Sequence, residues 1–230
     1  SGGLARNIEQ CLNDFGIPLR LSTTVVEIHG KDRLEGVTVA AVDEERRPIE
    51  STREYIPCDT LLLSCGLIPE NELTRGAGIA MDAVTGGAVT DEGRETDLPG
   101  VFAAGNVLHV HDLVDYVSEE AEIAGRAAAR YLAGHRPEGK PITVRAEGGV
   151  RYTVPRRITG HGAVKIFFRV GDVYRDREIA VFDGDRLLYS RKTKKLAPGE
   201  METVALSAEK IASVESGEIR VTLRDPKNNK

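Results

Sequence analysis

Residues 96–115 read TDLPGVFAAGNVLHVHDLVD, and one feature of that stretch limits the fold more than any other. Four apolar residues, Val101-Phe102-Ala103-Ala104, run straight into Gly105 and Asn106. A short apolar run without alternation fits a strand buried on both faces, as in the parallel sheet of an α/β domain. Glycine at the carboxyl end of such a strand lets backbone approach a ligand with no Cβ in the way. Asn106 then stands where a side-chain amide can meet a sugar-like hydroxyl. The same residues also read as an ordinary strand-to-loop turn, because Gly and Asn are common there.

A second run of this kind, Thr60-Leu61-Leu62-Leu63-Ser64, ends in Cys65-Gly66. Upstream, Leu4, Ile8, Leu12 and Phe15 recur at helical spacing, and Gly16 and Pro18 stop the helix. Strand-like runs follow at Leu19–Ser22, Thr24–Ile28, Val37–Asp43 and Arg53–Pro57, with a polar hairpin tip at 44–48. A short helix is expected at 70–76. A longer one, from about Val117 to Ala133, carries Ala121, Gly125, Ala128 and Leu132 on one stripe. Small residues there let a helix lie close to a sheet, and tight packing for stability alone explains them equally well. Residues 134–141 form a linker rich in glycine and proline. Beyond it, about seven short strand-like runs separated by turns suggest an antiparallel sandwich. They are Ile142–Arg145, Val150–Val154, Val164–Val170, Glu178–Phe182, Leu187–Ser190, Glu202–Ala205 and Glu218–Leu223. Residues 225–230 read as a tail.

Composition removes several classes of function. The net charge of -5 argues against a nucleic-acid surface, which rewards clustered Lys and Arg. With no Trp and 5% aromatic residues, a base-stacking platform is also disfavoured. Cys11, Cys58 and Cys65 are odd in number and widely spaced, which fits neither a disulfide framework nor a zinc site; a reducing cytoplasm is the default. No apolar run approaches the roughly 20 residues of a membrane span. Ser1-Gly2-Gly3-Leu4 is neither a signal peptide nor an initiator start, so a piece of something longer is expected.

Thr96–Gly105, followed by a helix with spaced Ala and Gly, resembles the second FAD-binding motif of the pyridine nucleotide-disulfide oxidoreductase superfamily. Cys58–Asn71 resembles the strand that leads from that family's NAD(P) domain back to its FAD domain. The resemblance covers residues 2–134. The narrower string Gly105–Asp115 is similar to a subgroup that accompanies anaerobic-type glycerol-3-phosphate dehydrogenases. The resemblance implies FAD and NAD(P) as cofactors, with Gly105 against the ribityl–pyrophosphate region. Asn106, where the family usually has Asp, would bond a ribityl hydroxyl without charge. The helix beginning near Val117 and Ser118 would aim its positive end at the flavin's pyrimidine side. Cys65 and Gly66 would border the nicotinamide path, with a buried packing role for Cys65 as the plainer reading.

The departures are also informative. No strand–Gly-x-Gly-x-x-Gly–helix turn is present, and Gly76-Ala77-Gly78 and Gly160-His161-Gly162 do not supply one. Both of the family's phosphate-binding turns would therefore lie upstream of Ser1. The redox Cys-x-x-Cys is absent, so thiol reduction is not supported. His109 and His111 alternate beside Asp112 and are expected to line the flavin site; no third ligand is evident, so no metal is assigned. Glu119 and Glu120 read as carboxylates favoured near a helix start whatever the function. Arg186, Arg191, Lys192, Lys194 and Lys195 read as charges on an exposed strand edge, with a docking patch as the alternative.

The expected architecture is α/β. A partial, Rossmann-like pair of dinucleotide-binding regions, residues 1–68 and 69–134, precedes an all-β, immunoglobulin-like sandwich at 141–225. The expected function is a portion of an oxidoreductase passing hydride between NAD(P)H and FAD. Its partner would be a small redox substrate or a redox protein, with a homo-oligomer also open. The alternative is a non-catalytic interaction subunit built around the sandwich.

Overall fold

The computed structural model describes residues 5–135, 139, 141–159 and 162–226. Leu4, much of the expected 134–141 linker, Gly160-His161 and most of the tail lie outside the described residues. The chain divides into two compact units, Ser1–Gly66 and Leu67–Lys230.

In the first unit, helix α1 (Ala5–Cys11) runs into a 3-10 turn at Asn13–Phe15. Gly16 ends it at φ 65°, its N–H bonded to the Asn13 carbonyl; a residue with a Cβ resists that left-handed conformation. Strands β1 (Thr23–His29), β2 (Gly36–Ala41) and β3 (Glu54–Pro57) then form an antiparallel sheet in that order. The central strand β2 is buried from Gly36 to Ala40, as its Val and Ala content requires. The run at Leu19–Ser22 forms no strand.

The expected strand at Thr60–Ser64 is also absent: residues 60–70 carry no regular element, and Leu62 and Leu63 are 87% and 74% exposed. A strand needs neighbours for its amides and carbonyls, and the described residues supply none there.

The second unit opens with α2 (Glu72–Gly76), within the short helix expected. Residues 77–104 are turns tied by the isolated bridges Met81–Ala88 and Glu95–Phe102. Val101–Ala104 therefore makes one bridge and not the buried strand expected, and Val101 stays exposed. A 3-10 turn at Gly105–Val107 leads to α3 (Val114–Leu132). That helix starts three residues earlier than its sequence suggests, because nothing in Val114–Tyr116 interrupts it once Leu113 has turned in from extended backbone. Its inward face holds Glu120 and Ala124. Of the expected stripe, Ala121, Gly125 and Leu132 point to solvent, with Leu132 85% exposed, and Ala128 is half-buried.

The rest is all β. Strands β4 (Ile142–Ala146), β5 (Val150–Val154), β6 (Arg157–Ile158), β7 (Val164–Val170), β8 (Tyr174–Asp183), β9 (Arg186–Leu196), β10 (Glu202–Leu206) and β11 (Glu218–Arg224) make two sheets, with α4 (Ala208–Ala212) before the last strand. The strand orders are β10-β7-β5 and β6-β4-β11-β8-β9. Both sheets feed one core, with Ile166, Phe168 and Val204 from the first and Val144, Ile179, Val181, Ile219 and Val221 from the second. The β4–β11 pair is parallel and the remaining pairs in these sheets are antiparallel. β9 ends its sheet. Arg186 pairs with Asp183 and Arg191 with Glu202, each at 2.6 Å, while Lys192, Lys194 and Lys195 are exposed, as an edge strand favours.

Candidate functional site

Strand β7 is buried on both sides. Val164, Ile166, Phe168 and Val170 enter the core, and by the two-residue period of a strand Lys165, Phe167 and Arg169 face the other way. That second face meets the loop 105–112 and α3. Lys165 Nζ bonds both oxygens of Glu119, at 2.6 and 2.7 Å. Arg169 donates to the Val110 carbonyl at 2.9 Å. Phe167, fully buried, lies edge-on to His109, His111 and Tyr116, with ring centroids 5.9 to 6.1 Å away.

Glu120 is at the centre of this contact, fully buried. Oε1 accepts from Arg94 Nε at 2.9 Å and from His109 Nε2 at 3.0 Å. Oε2 accepts from His111 Nε2 at 2.9 Å and from the Gly105 N–H at 2.9 Å. Burial alone would raise this carboxyl, but the hydrogen bonds from both histidines and the Arg94 charge outweigh it and hold it well below the ordinary carboxylate range. An ionised carboxylate only accepts, so each histidine donates its Nε2–H. Burial lowers His109, and its bond to Glu120 only partly offsets that, so this ring is neutral. His109 Nδ1 is then the acceptor for the Tyr152 hydroxyl, 3.4 Å away. The phenol is pushed up to about 12, chiefly by burial, and remains a donor.

Arg94 reaches Glu120 through local backbone strain. It sits at φ 68°, uncommon for a residue with a Cβ. The Asp91 carboxylate fixes that turn by accepting from the Gly93 and Glu95 amides at 2.8 and 2.9 Å. Burial pushes Asp91 up to about 6. The Arg94 guanidinium lies 5.5 Å from the Phe167 ring centre, a cation–π distance. Arg94 Nη2 and His111 Nδ1 are buried without a hydrogen-bond partner among the described residues.

The ligating atoms of His109, His111 and Glu120 lie within 4.8 Å of one another. Two imidazoles and a carboxylate are metal ligands in kind. Here both imidazole N–H groups already donate to the carboxylate, and the Arg94 charge balances it. The cluster is a buried Arg94–Glu120 ion pair whose carboxylate also takes an N–H from each imidazole. A divalent ion would stand beside that guanidinium and displace both N–H bonds.

The residues expected to hold a cofactor divide between the two units. Gly105 is buried at φ 75°, and a Cβ there would stand 3.4 Å from Val117 Cγ1. Asn106 is exposed; its Oδ1 accepts from the His111 N–H at 3.0 Å, and its amide nitrogen has no partner among the described residues. Val117 is half-buried and Ser118 exposed, both past the positive end of α3, which lies at Val114–Tyr116 with no side-chain cap. Cys65 and Gly66 belong to the first unit, and Cys65 is exposed where a packed thiol was expected. The three cysteines are free thiols. From sequence Glu120 reads only as a carboxylate favoured near a helix start, and Arg94 carries no assignment. Glu120 lies four residues before Ala124, on the face that turns inward, and a search of both possible stripes of α3 would have found it. No local signal marks Arg94.

A family model, pyridine nucleotide-disulphide oxidoreductase, matches residues 3–128. The chain belongs to this family. Among curated relatives, the chain is 32% identical over 117 residues to the hydrogen cyanide synthase subunit HcnB of Pseudomonas aeruginosa, covering 50% of this chain and 24% of that one. It is 28% identical over 169 residues to the ferredoxin reductase component of chlorobenzene dioxygenase of a Cupriavidus species, covering 70% and 38%. It is 33% identical over 127 residues to thioredoxin reductase of Listeria monocytogenes, covering 54% and 37%. The chain thus spans between about a quarter and two fifths of the length of these relatives. No described helix is long and apolar enough to cross a membrane.

Proposed function

We propose that these residues are part of an FAD-dependent oxidoreductase that passes hydride between NAD(P)H and the flavin. The observation that carries the reading is the family match across 3–128, which includes the 58–71 segment, the 96–105 turn and most of α3. The uncovered face of α3 and the bare Leu62 and Leu63 support it, since a parallel sheet is what such surfaces cover. The first unit is then the closing part of an NAD(P) domain, and residues 69–134 the closing part of an FAD domain. The pyrophosphate turns come from residues outside this sequence.

The groups near Gly105 fit a flavin in kind. The ribityl and phosphate groups are rich in acceptors, and the turn offers donors: the Asn106 amide nitrogen and the uncapped first-turn amides of α3. Asn106 acts here as a donor through its amide nitrogen, its oxygen being taken by the His111 N–H. FAD, when bound, supplies the two-electron chemistry. Glu120 holds the Gly105 amide, and the dipole of α3 favours the negative charge that reduction develops. His109 and His111 are buried supports behind the turn.

The electron partner is a small redox molecule or a redox protein, the cellular setting is a reducing cytoplasm that suits three free thiols, and a homo-oligomer is consistent with the bare apolar surface. The two-sheet region, with its parallel β4–β11 pair, is read as immunoglobulin-like. The narrower likeness to proteins accompanying glycerol-3-phosphate dehydrogenases belongs to this reading as well. In the full-length protein, Asn106→Ala should weaken FAD binding by about 1 kcal/mol, the size of one neutral hydrogen bond, and Asn106→Asp, which keeps the acceptor for the His111 N–H but has no N–H to donate, should weaken it at least as much. Flavin fluorescence titration measures both. Full-length protein that takes up no flavin overturns the reading, and an unchanged Ala variant removes Asn106 from the site.

A further inference from the structure

We propose that the C-terminal all-β region is a fixed brace for the cofactor turn, with Phe167, Arg169 and Tyr152 as positioning residues that act on Gly105 and Asn106 through the 105–112 loop and Glu120. What the turn holds rests on the flavin reading above; the brace itself does not.

Three contacts carry the inference. Arg169 joins three pieces of chain: its guanidinium donates to the Val110 carbonyl at 2.9 Å, to Asp112 Oδ1 at 3.4 Å and to the Pro198 carbonyl at 2.9 Å. Asp112 Oδ1 also accepts from the Met201 N–H at 3.2 Å, so the loop is held from two β-region segments at once. Phe167 and Tyr152 close the other side. They wall in His109, and Phe167 also covers His111 and the Arg94 guanidinium. From there each bond leads to the turn. Both histidines donate to Glu120, Glu120 accepts the Gly105 N–H, and the His111 N–H is taken by Asn106 Oδ1.

The chemistry of this wall differs from that of a mobile module. Surfaces between domains that move are polar and wetted. Here Phe167, Tyr152 and Val154 are buried, and two of them share a cluster with Ile79, Ala88 and Leu108 of the preceding segment. Excluding water strengthens the Arg94–Glu120 pair, which makes the turn's geometry depend on the wall. Ion pairs from β5–β7 and their connection reinforce the seam: Arg156 to Asp82 at 2.9 Å, and Lys165 to Glu119. A docking module tethered by a linker needs none of these contacts.

Amide hydrogen exchange by NMR on the full chain tests the brace directly. Arg169→Gln should speed exchange at the Gly105 and His111 amides about tenfold, with Val181 and Val221 in the far sheet unchanged. Asp112→Asn approaches the same bond from the loop and should loosen the same two amides; it decides the matter should Arg169→Gln fail to fold. Arg151→Gln, an exposed change on β5, should alter neither amide. Unchanged exchange at Gly105 and His111 in both test variants overturns the proposal, as does an equal effect from Arg151→Gln. A separate FAD titration of full-length Arg169→Gln should show about tenfold weaker binding. Unchanged FAD affinity with loosened amides overturns the brace's service to the cofactor. Absence of flavin binding in the unaltered protein overturns the flavin reading and leaves the exchange result to decide the brace.

Discussion

Leu61-Leu62-Leu63 and Val164–Val170 look alike as sequence: both are short apolar runs expected to be strands. Their structures are opposite. The first has no regular element, and Leu62 and Leu63 stand in solvent. The second is paired on both edges, with β5 and β10, and buried on both faces. Apolar content is therefore a demand for neighbours and not a guarantee of them. Phe167 shows what satisfaction of that demand looks like: one strand serves a core of aliphatic residues on one side and a network of buried charge on the other.

The largest blow to the contrast is Glu120→Ala. It leaves the buried Arg94 guanidinium uncompensated and removes the acceptor for His109, His111 and Gly105. Loss of about 4 kcal/mol from the second unit is expected by urea unfolding, as for other broken buried pairs. A loss below about 1 kcal/mol would mean that the charges are wetted, as at surface pairs, and that the two runs differ less than their burial implies. Phe167→Ala comes next, at about 3 kcal/mol, because the cavity opens against the same network.

Asp91 supplies a pH test of the same buried seam. Its folded carboxyl, at about 6, lies above the ordinary value of 3.8, so the folded state keeps the proton longer. The stability this group contributes is complete below pH 3.8 and is lost as pH rises through about 6. Glu120 works the other way, its contribution being present above its ordinary 4.5 and lost as pH falls. The second unit should thus lose up to about 1 kcal/mol per pH unit between about pH 5 and 6. Asp91→Asn keeps the turn's acceptor oxygen and should flatten that slope; an unchanged slope in urea titrations would remove Asp91 as its source. The smallest effect is Leu62→Ser in the first unit, expected within about 0.5 kcal/mol because the side chain is already in water. A loss above about 2 kcal/mol would show that this run is buried after all, and the comparison would fail.

Much of the fold was legible. Turn residues and β-branched runs placed β1, β2 and β3, the helix stop at Gly16, and the seven runs of the all-β region, because φ restrictions and side-chain alternation act locally. Local signals also placed Gly105 and Asn106 on one turn and picked out His109 and His111. They misplaced the start of α3 and the face it buries. Two stripes of α3 offer small residues, and only the packed structure chooses between Ala121–Gly125 and Glu120–Ala124.

By itself, the sequence determined where the chain turns, where it alternates and which short motif it shares with its family, all properties of neighbours along the chain. The tertiary structure decided the rest. Glu120 changes from an ordinary helix carboxylate to a buried hub only because Arg94, His109 and His111 converge on it from 26, 11 and 9 residues away. Such convergence depends on the path of the backbone through a strained Arg94 and on the second face of β7. No pattern of local spacing records either, because the energy of a buried charge is set by the groups that surround it and not by those that precede it.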